Sequence, residues 1–193
     1  MDTGQHNRPM IMLDLFSGLG GASQVMRERG WKVVSVDVNP DVSPDILADI
    51  RDFEWRGPRP DLVWASPPCV EFSRESMPWT RTGRKPDLSL VLATLRVVSE
   101  TRPRFWVLEN VRGAVRWLQP ILGAPRTIVF PFHLWGFFPD LGQIDTSGWR
   151  NKESLSSASP AERAKIPREL SAAVAIACES QIELPLPGNQ LGG

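Results

Sequence analysis

Cysteine is scarce in this chain of 193 residues. The two that occur, Cys69 and Cys178, stand far apart in unlike contexts. With no secretory signal beside them, they argue against a disulfide framework. An excess of one charge is also lacking: 22 basic and 22 acidic residues give a formal net charge of zero. A dedicated nucleic-acid binder is more often basic, so the balance argues mildly against that class; it leaves room for an enzyme with a local positive surface. No apolar run approaches the length of a membrane span, so no membrane partner is expected. Residues 1–9 are polar and lack the apolar segment of a signal peptide. There is no internal repeat, and no metal site is expected. What remains is a soluble, cytoplasmic chain whose length suits one domain, able to bury a core without a metal or disulfide staple.

Strand and helix signals alternate through the first two thirds. Residues 10–16 (MIMLDLF) form a short apolar run before a glycine-rich stretch, Ser17-Gly18-Leu19-Gly20-Gly21. A helix is predicted over 22–29, closed by Gly30, then a β-branched strand over 32–38 and a third strand over 61–65. Helical periodicity marks 88–100, and 104–111 is another strand. Such alternation predicts a doubly wound, mostly parallel α/β sheet with helices on both faces. Further on, 127–132 reads as a strand, 135–156 as loop, and 160–179 as a helix interrupted by Pro167, with its apolar part at 170–178. The Pro/Gly-rich stretch 184–193 reads as a disordered tail.

Several residues in this frame carry chemistry. A glycine turn after the first strand lets backbone approach a ligand, although the full G-x-G-x-x-G spacing is absent. Asp37, at the end of the second strand, is placed to accept hydrogen bonds from the ribose hydroxyls of an adenosine cofactor. Asp49-Ile50 comes next, on a loop able to read an adenine. Each acid taken alone is equally a turn or cap residue; together, in this order, they favour a nucleoside cofactor. Pro67-Pro68-Cys69 comes directly after the third strand. Two prolines fix the chain where open α/β sheets place ligand sites, which makes Cys69 a poor core filler, held rigidly where it can reach a substrate. Cys178, within the Ala-rich run SAAVAIAC, reads as packing.

These residues resemble the cytosine-C5 DNA methyltransferase family over roughly residues 10–112. Asp14-Leu15-Phe16-Ser17-Gly18-Leu19-Gly20-Gly21 is similar to the motif that wraps the methionine part of S-adenosylmethionine. Asp37 falls at the family's ribose-binding acid, and Asp49-Ile50 at its adenine-binding pair. Pro67-Pro68-Cys69-Val70-Glu71-Phe72-Ser73 is similar to the nucleophile motif, and Glu109-Asn110-Val111 to its Glu-Asn-Val motif. The resemblance implies a Rossmann-like methyltransferase fold with S-adenosylmethionine as cofactor and DNA as partner. It implies addition of the Cys69 thiolate to C6 of a flipped cytosine, with Glu109 holding the N3/N4 edge. It extends cofactor contact to Val38 and Pro67, and substrate contact to Pro68, Ser73, Arg74, Arg81, Arg84, Asn110 and Val111. The basic stretch around Arg81 and Arg84 matches a loop that closes over DNA, where phosphate contact and a solvated surface are equal readings.

The second half departs from the family. The Gln-x-Arg-x-Arg motif is absent, leaving Arg112 and Arg126 as candidate replacements. Only 130–159 is available for target recognition. The Gly-Asn motif before the last helix is missing; Ile166-Pro167-Arg168-Glu169-Leu170 resembles its later part, and Gly188-Asn189 lies beyond the helix. The expected organisation is a polar segment 1–9, one catalytic domain over 10–180 with its last helix at 160–180, and a tail over 181–193. Such a compact form suits a virus or mobile element. Alternatives are a non-catalytic subunit that binds cofactor or DNA and needs a separate specificity partner, an RNA cytosine methyltransferase, and transfer from a modified sulfonium cofactor.

Overall fold

A computed structural model describes residues 8–74, 83–149, 162 and 164–183. Arg81, the start of the helix expected at 160, and residues 184–193 lie outside these.

The core is a seven-stranded sheet in the order β3-β2-β1-β4-β5-β7-β6. In chain order the strands are β1 Ile11–Leu15, β2 Lys32–Asp37, β3 Ile46–Leu47, β4 Leu62–Ala65, β5 Phe105–Val111, β6 Thr127–Val129 and β7 Phe132–Phe137. The first five run parallel; β7 is antiparallel to β5 and β6. The helices are α1 Ser23–Glu28, α2 Val70–Arg74, α3 Ser89–Thr101, α4 Val115–Leu122 and α5 Arg168–Glu183.

Period-two alternation sorts the central strands onto two cores. Met12, Leu62, Trp64 and Val107 face one way, against Met26 of α1 and Leu170, Val174 and Cys178 of α5. Leu13, Val63 and Ala65 face the other way, against Ala93 and Val97 of α3, while Leu108 meets Leu118 of α4. Burial on both faces explains why β1 and β4 are buried at every position. Cys178 is wholly buried, and burial pushes its thiol up to about 12. At the amino edge, buried Asp61 accepts two hydrogen bonds from Arg8 and one from the Ile11 amide, each 2.8 Å, tying β1 to β4.

Helix α5 docks on α1. The Ser171 hydroxyl donates to the Ala22 carbonyl, and Trp31 donates its indole N–H to Glu179 at 2.8 Å. Just before α5, the chain lies against the glycine turn. A Cβ on Gly21 would fall 2.6 Å from the Ile166 nitrogen, so only glycine admits this approach.

The second half corrects several expectations. The strand read over 127–132 is two strands, separated at Phe130-Pro131, because proline offers no N–H to continue the ladder. The loop read over 135–156 begins later: Trp135-Gly136-Phe137 completes β7, so the expected recognition region gives up residues 132–137 to the sheet. Gly136 gives this stretch the look of a loop, yet its φ of +132° and its position against the Trp106 carbonyl are what let β7 pair with β5. Helix α4 is an addition to the expected elements, hidden because Pro120 falls inside it. The interruption expected at Pro167 is present, since α5 starts directly after it; the helix then continues to Glu183, past the boundary expected at 180.

Gly136→Ala is expected to lower unfolding stability by about 3 kcal/mol in urea titrations, since its Cβ would lie 2.1 Å from the Trp106 oxygen.

Candidate active site

Strand order reverses at β1: its chain connection leads to β2 on one side, while β4 lies on the other. In open α/β sheets the crevice at that switch, beyond the carboxyl ends of the strands, is where ligands bind. Here the register aligns Leu15, Ala65 and Leu108 in one row. The residues just beyond them therefore emerge together, and they line a cavity of about 620 Å³.

The first wall is the turn after β1. Phe16, Gly18 and Gly20 take φ values of +60°, +47° and +70°. The Gly20 amide donates to the Ser17 carbonyl at 2.8 Å, and the Gly18 amide donates to Asp37 Oδ2 at 2.9 Å. Asp37 thus holds the glycine turn from the end of β2, and its Oδ1 accepts from the Asn39 amide at 2.9 Å. Asp14 lies beneath the turn and is 2 % exposed. Burial pushes its carboxyl up to about 7, opposed by a hydrogen bond from Ser23. Its Oδ2 has no hydrogen-bond partner among the described residues.

The second wall comes after β4. The Cys69 carbonyl accepts from the amides of Phe72 at 3.0 Å and Ser73 at 2.8 Å, opening α2. Phe72 anchors that short helix in the core. Asn110 Nδ2 donates to the Pro67 carbonyl at 2.9 Å, and Asn110 Oδ1 accepts from the Val111 amide at 2.9 Å. Asn110, expected to touch substrate, lines the cavity and also braces the Pro-Pro-Cys turn against β5.

Glu109 completes the cavity from β5. It is 8 % exposed, and burial pushes its carboxyl up to about 7, opposed by a hydrogen bond from the Ser66 side chain. The Ser66 oxygen accepts from the Trp64 indole at 3.0 Å, which leaves its own proton to give to Glu109.

Of the expected site residues, the cavity gathers Asp14, Phe16, Ser17, Gly18, Leu19 and Gly21 from the glycine turn. It also gathers Pro67, Pro68, Cys69, Ser73 and Arg74, and then Glu109, Asn110 and Val111. Others stand outside its lining. Gly20 turns the loop without facing the cavity, and Val38 is 66 % exposed. Arg51 holds Asp49 in an exposed ion pair and pushes its carboxyl down to about 2. Ile50 is packed in the core. Arg126 lies over the Phe138 ring, 5.3 Å from its centroid. Arg112 opens a 3-10 turn after β5 and, like Arg84, is not part of the lining. Sequence reading missed Phe132, Lys165 and Ile166, which line the cavity. Phe132 was hidden by the merged strand, and the other two arrive only through the packing of their segment on Gly21.

Comparison with known proteins identifies the family. Residues 10–117 match the model of the family described as C-5 cytosine-specific DNA methylase. A Frog virus 3 (isolate Goorha) protein named "Probable DNA (cytosine-5)-methyltransferase" is 32% identical over 119 residues, covering 52% of this chain and 53% of that protein. The type II methyltransferase M.AquIA of Picosynechococcus sp. is 33% identical over 127 residues, covering 55% and 50%. The chain thus spans about half the length of these curated relatives. The solved structure of a methyltransferase from Entamoeba histolytica aligns with a TM-score of 0.48 at 15% identity, covering 72% of this chain and 56% of that one.

The raised carboxyl of Glu109 has a consequence for stability. Its protonated form favours the folded state fully below pH 4.5, and that contribution is lost as pH rises to about 7. Glu109→Gln is expected to remove this decline, by roughly 3 kcal/mol at most, when urea midpoints of the two proteins are compared from pH 4.5 to 8. Parallel pH profiles would show that Glu109 ionises normally.

Proposed function

The chain belongs to the C-5 cytosine-specific DNA methylase family, and from that premise we propose that it methylates carbon 5 of cytosine in DNA, using S-adenosylmethionine, with Cys69 as nucleophile. One observation carries the reading: Cys69, Glu109 and the glycine turn share a single cavity. A nucleophile, an acid matched to neutral pH and a backbone cradle on three converging strand ends are the parts such a transfer needs.

The cavity also suits the cofactor. Phe16–Gly21 offers a turn that backbone alone shapes, and the unpartnered Asp14 Oδ2 is an acceptor able to receive the cofactor's ammonium group. Bound there, S-adenosylmethionine supplies an electrophilic sulfonium methyl for carbon 5.

The chain's own residues do the rest. The target base leaves the duplex stack to reach the cavity, at a cost of a few kcal/mol. The Cys69 thiolate adds to C6 and turns C5 into an enamine carbon, a far better nucleophile than the aromatic ring offers. Negative charge builds on N3 as the C6–S bond forms. Glu109, with its proton retained to about pH 7, donates a hydrogen bond at that edge and stabilises the charge where it develops. After methylation, loss of the C5 proton to a base expels the Cys69 thiolate and restores the ring. Asn110 acts as a positioning residue, since it fixes the Pro67 carbonyl and so the direction of the Cys69 side chain. The viral relative and the type II methyltransferase relative support a place in restriction–modification or in a mobile element.

The test uses a DNA duplex with 5-fluorocytosine and tritiated S-adenosylmethionine. Fluorine at C5 blocks the final elimination, so the wild-type chain is expected to form a labelled covalent adduct that Cys69→Ala lacks. Turnover on ordinary DNA should fall about a hundredfold in Glu109→Gln. No adduct from a chain that still binds cofactor would sink the catalytic reading in favour of a cofactor-binding subunit, and label on RNA alone would reassign the substrate.

A further inference from the structure

The cavity holds two cationic side chains among the described residues, Arg74 and Lys165. They differ in what they are free to do. Arg74 sits on α2, one turn from the nucleophile, and is paired with Glu71. Lys165 sits on the opposite wall, in the segment that leads into α5, and makes no ion pair with any described residue. Its stem is fixed against the glycine turn: a Cβ on Gly21 would fall 2.8 Å from Lys165 Cγ. An exposed lysine whose stem lies against the glycine turn, and whose ammonium pairs with no described carboxylate, brings a positive charge to the wall of the cavity.

The position of that charge selects its ligand. The reacting end of the cavity is defined by Cys69 and Glu109, so the transferred group has to face them. On that reading the end between the glycine turn and the 164–166 segment is left for the part of the ligand that does not react. In a sulfonium cofactor built on an amino acid, that part ends in a carboxylate. The carboxyls that line the cavity, Asp14 and Glu109, are both pushed towards neutrality by burial, so neither repels an incoming anion strongly below pH 7.

We propose that Lys165 binds the α-carboxylate of the cofactor and thereby makes the cavity selective for sulfonium cofactors that retain it. The inference rests on reading the cavity as an S-adenosylmethionine site. A charge-assisted contact of this kind raises affinity about tenfold, and it acts alike on S-adenosylmethionine and its demethylated product, because both carry the same carboxylate. Lys165 therefore tunes binding, not the chemical step.

The experiment is calorimetric titration of the whole chain with S-adenosylmethionine and with decarboxylated S-adenosylmethionine, which differ at this one group. Lys165→Met keeps the packed stem on Gly21 and removes the charge; Lys165→Arg keeps the charge. The wild type is expected to prefer the carboxylated ligand about tenfold. Lys165→Met should abolish that preference by losing affinity for S-adenosylmethionine alone, and Lys165→Arg should restore most of it. Unchanged binding of S-adenosylmethionine by Lys165→Met overturns the proposal, as does an equal loss for both ligands, which would mark a packing role. A wild-type chain that binds neither ligand overturns the cofactor reading itself, and this proposal with it.

Discussion

The register of three parallel strands is the constraint on which the site depends. Leu15, Ala65 and Leu108 occupy one row across β1, β4 and β5. The glycine turn, the Pro-Pro-Cys turn and Glu109 lie just beyond that row and must therefore emerge at one edge. A slip of one residue in β5 would turn Glu109 to the opposite face of the sheet, and Asn110 with it. Burial on both faces forbids such a slip, because Val107 and Leu108 each fill a different core. The geometry at the edge is thus maintained by apolar packing some distance below it.

The same packing sets the electrostatics. Asp14 and Glu109 are carboxyls that a stability-driven design would place in water, yet both are buried and both hold their protons to about pH 7. Each is moderated by one hydroxyl, Ser23 for Asp14 and Ser66 for Glu109, which limits the cost of burial without cancelling it. A fold that keeps two such groups trades some stability for acids that work near neutrality.

Much of this was legible in the sequence, and the limits have physical causes. The central strands carry unbroken apolar runs that only a doubly buried sheet explains, so their order and the turns after them could be read directly. Cys69 and Glu109 lie at the ends of those strands, so the register alone brings them together. The edge beyond β5 was harder. Gly136 and the aromatic residues around it imitate loop composition, and only the pairing with Trp106 and Val107 reveals a strand. Pro120 obscured a helix for the same reason, since a local signal cannot report what tertiary contacts override, whereas the interruption read at Pro167 is where α5 begins. Side-chain contacts lie beyond what family position reports. Arg126 stacks on Phe138, and Asn110 braces a turn, because a motif fixes where a residue lies in the chain and not what its side chain meets.

The close approach of Ile166 to Gly21 reaches beyond packing. It means that the cavity is assembled from both ends of the folded unit: the glycine turn, nucleophile and acid come from early segments, while Lys165 and Ile166 come from a segment that is synthesised last among these. A chain emerging from the ribosome therefore presents Cys69 and Glu109 well before the wall that encloses them. The cavity described above is therefore complete only once α5 docks on α1, and a half-made chain carries two of its walls without the third.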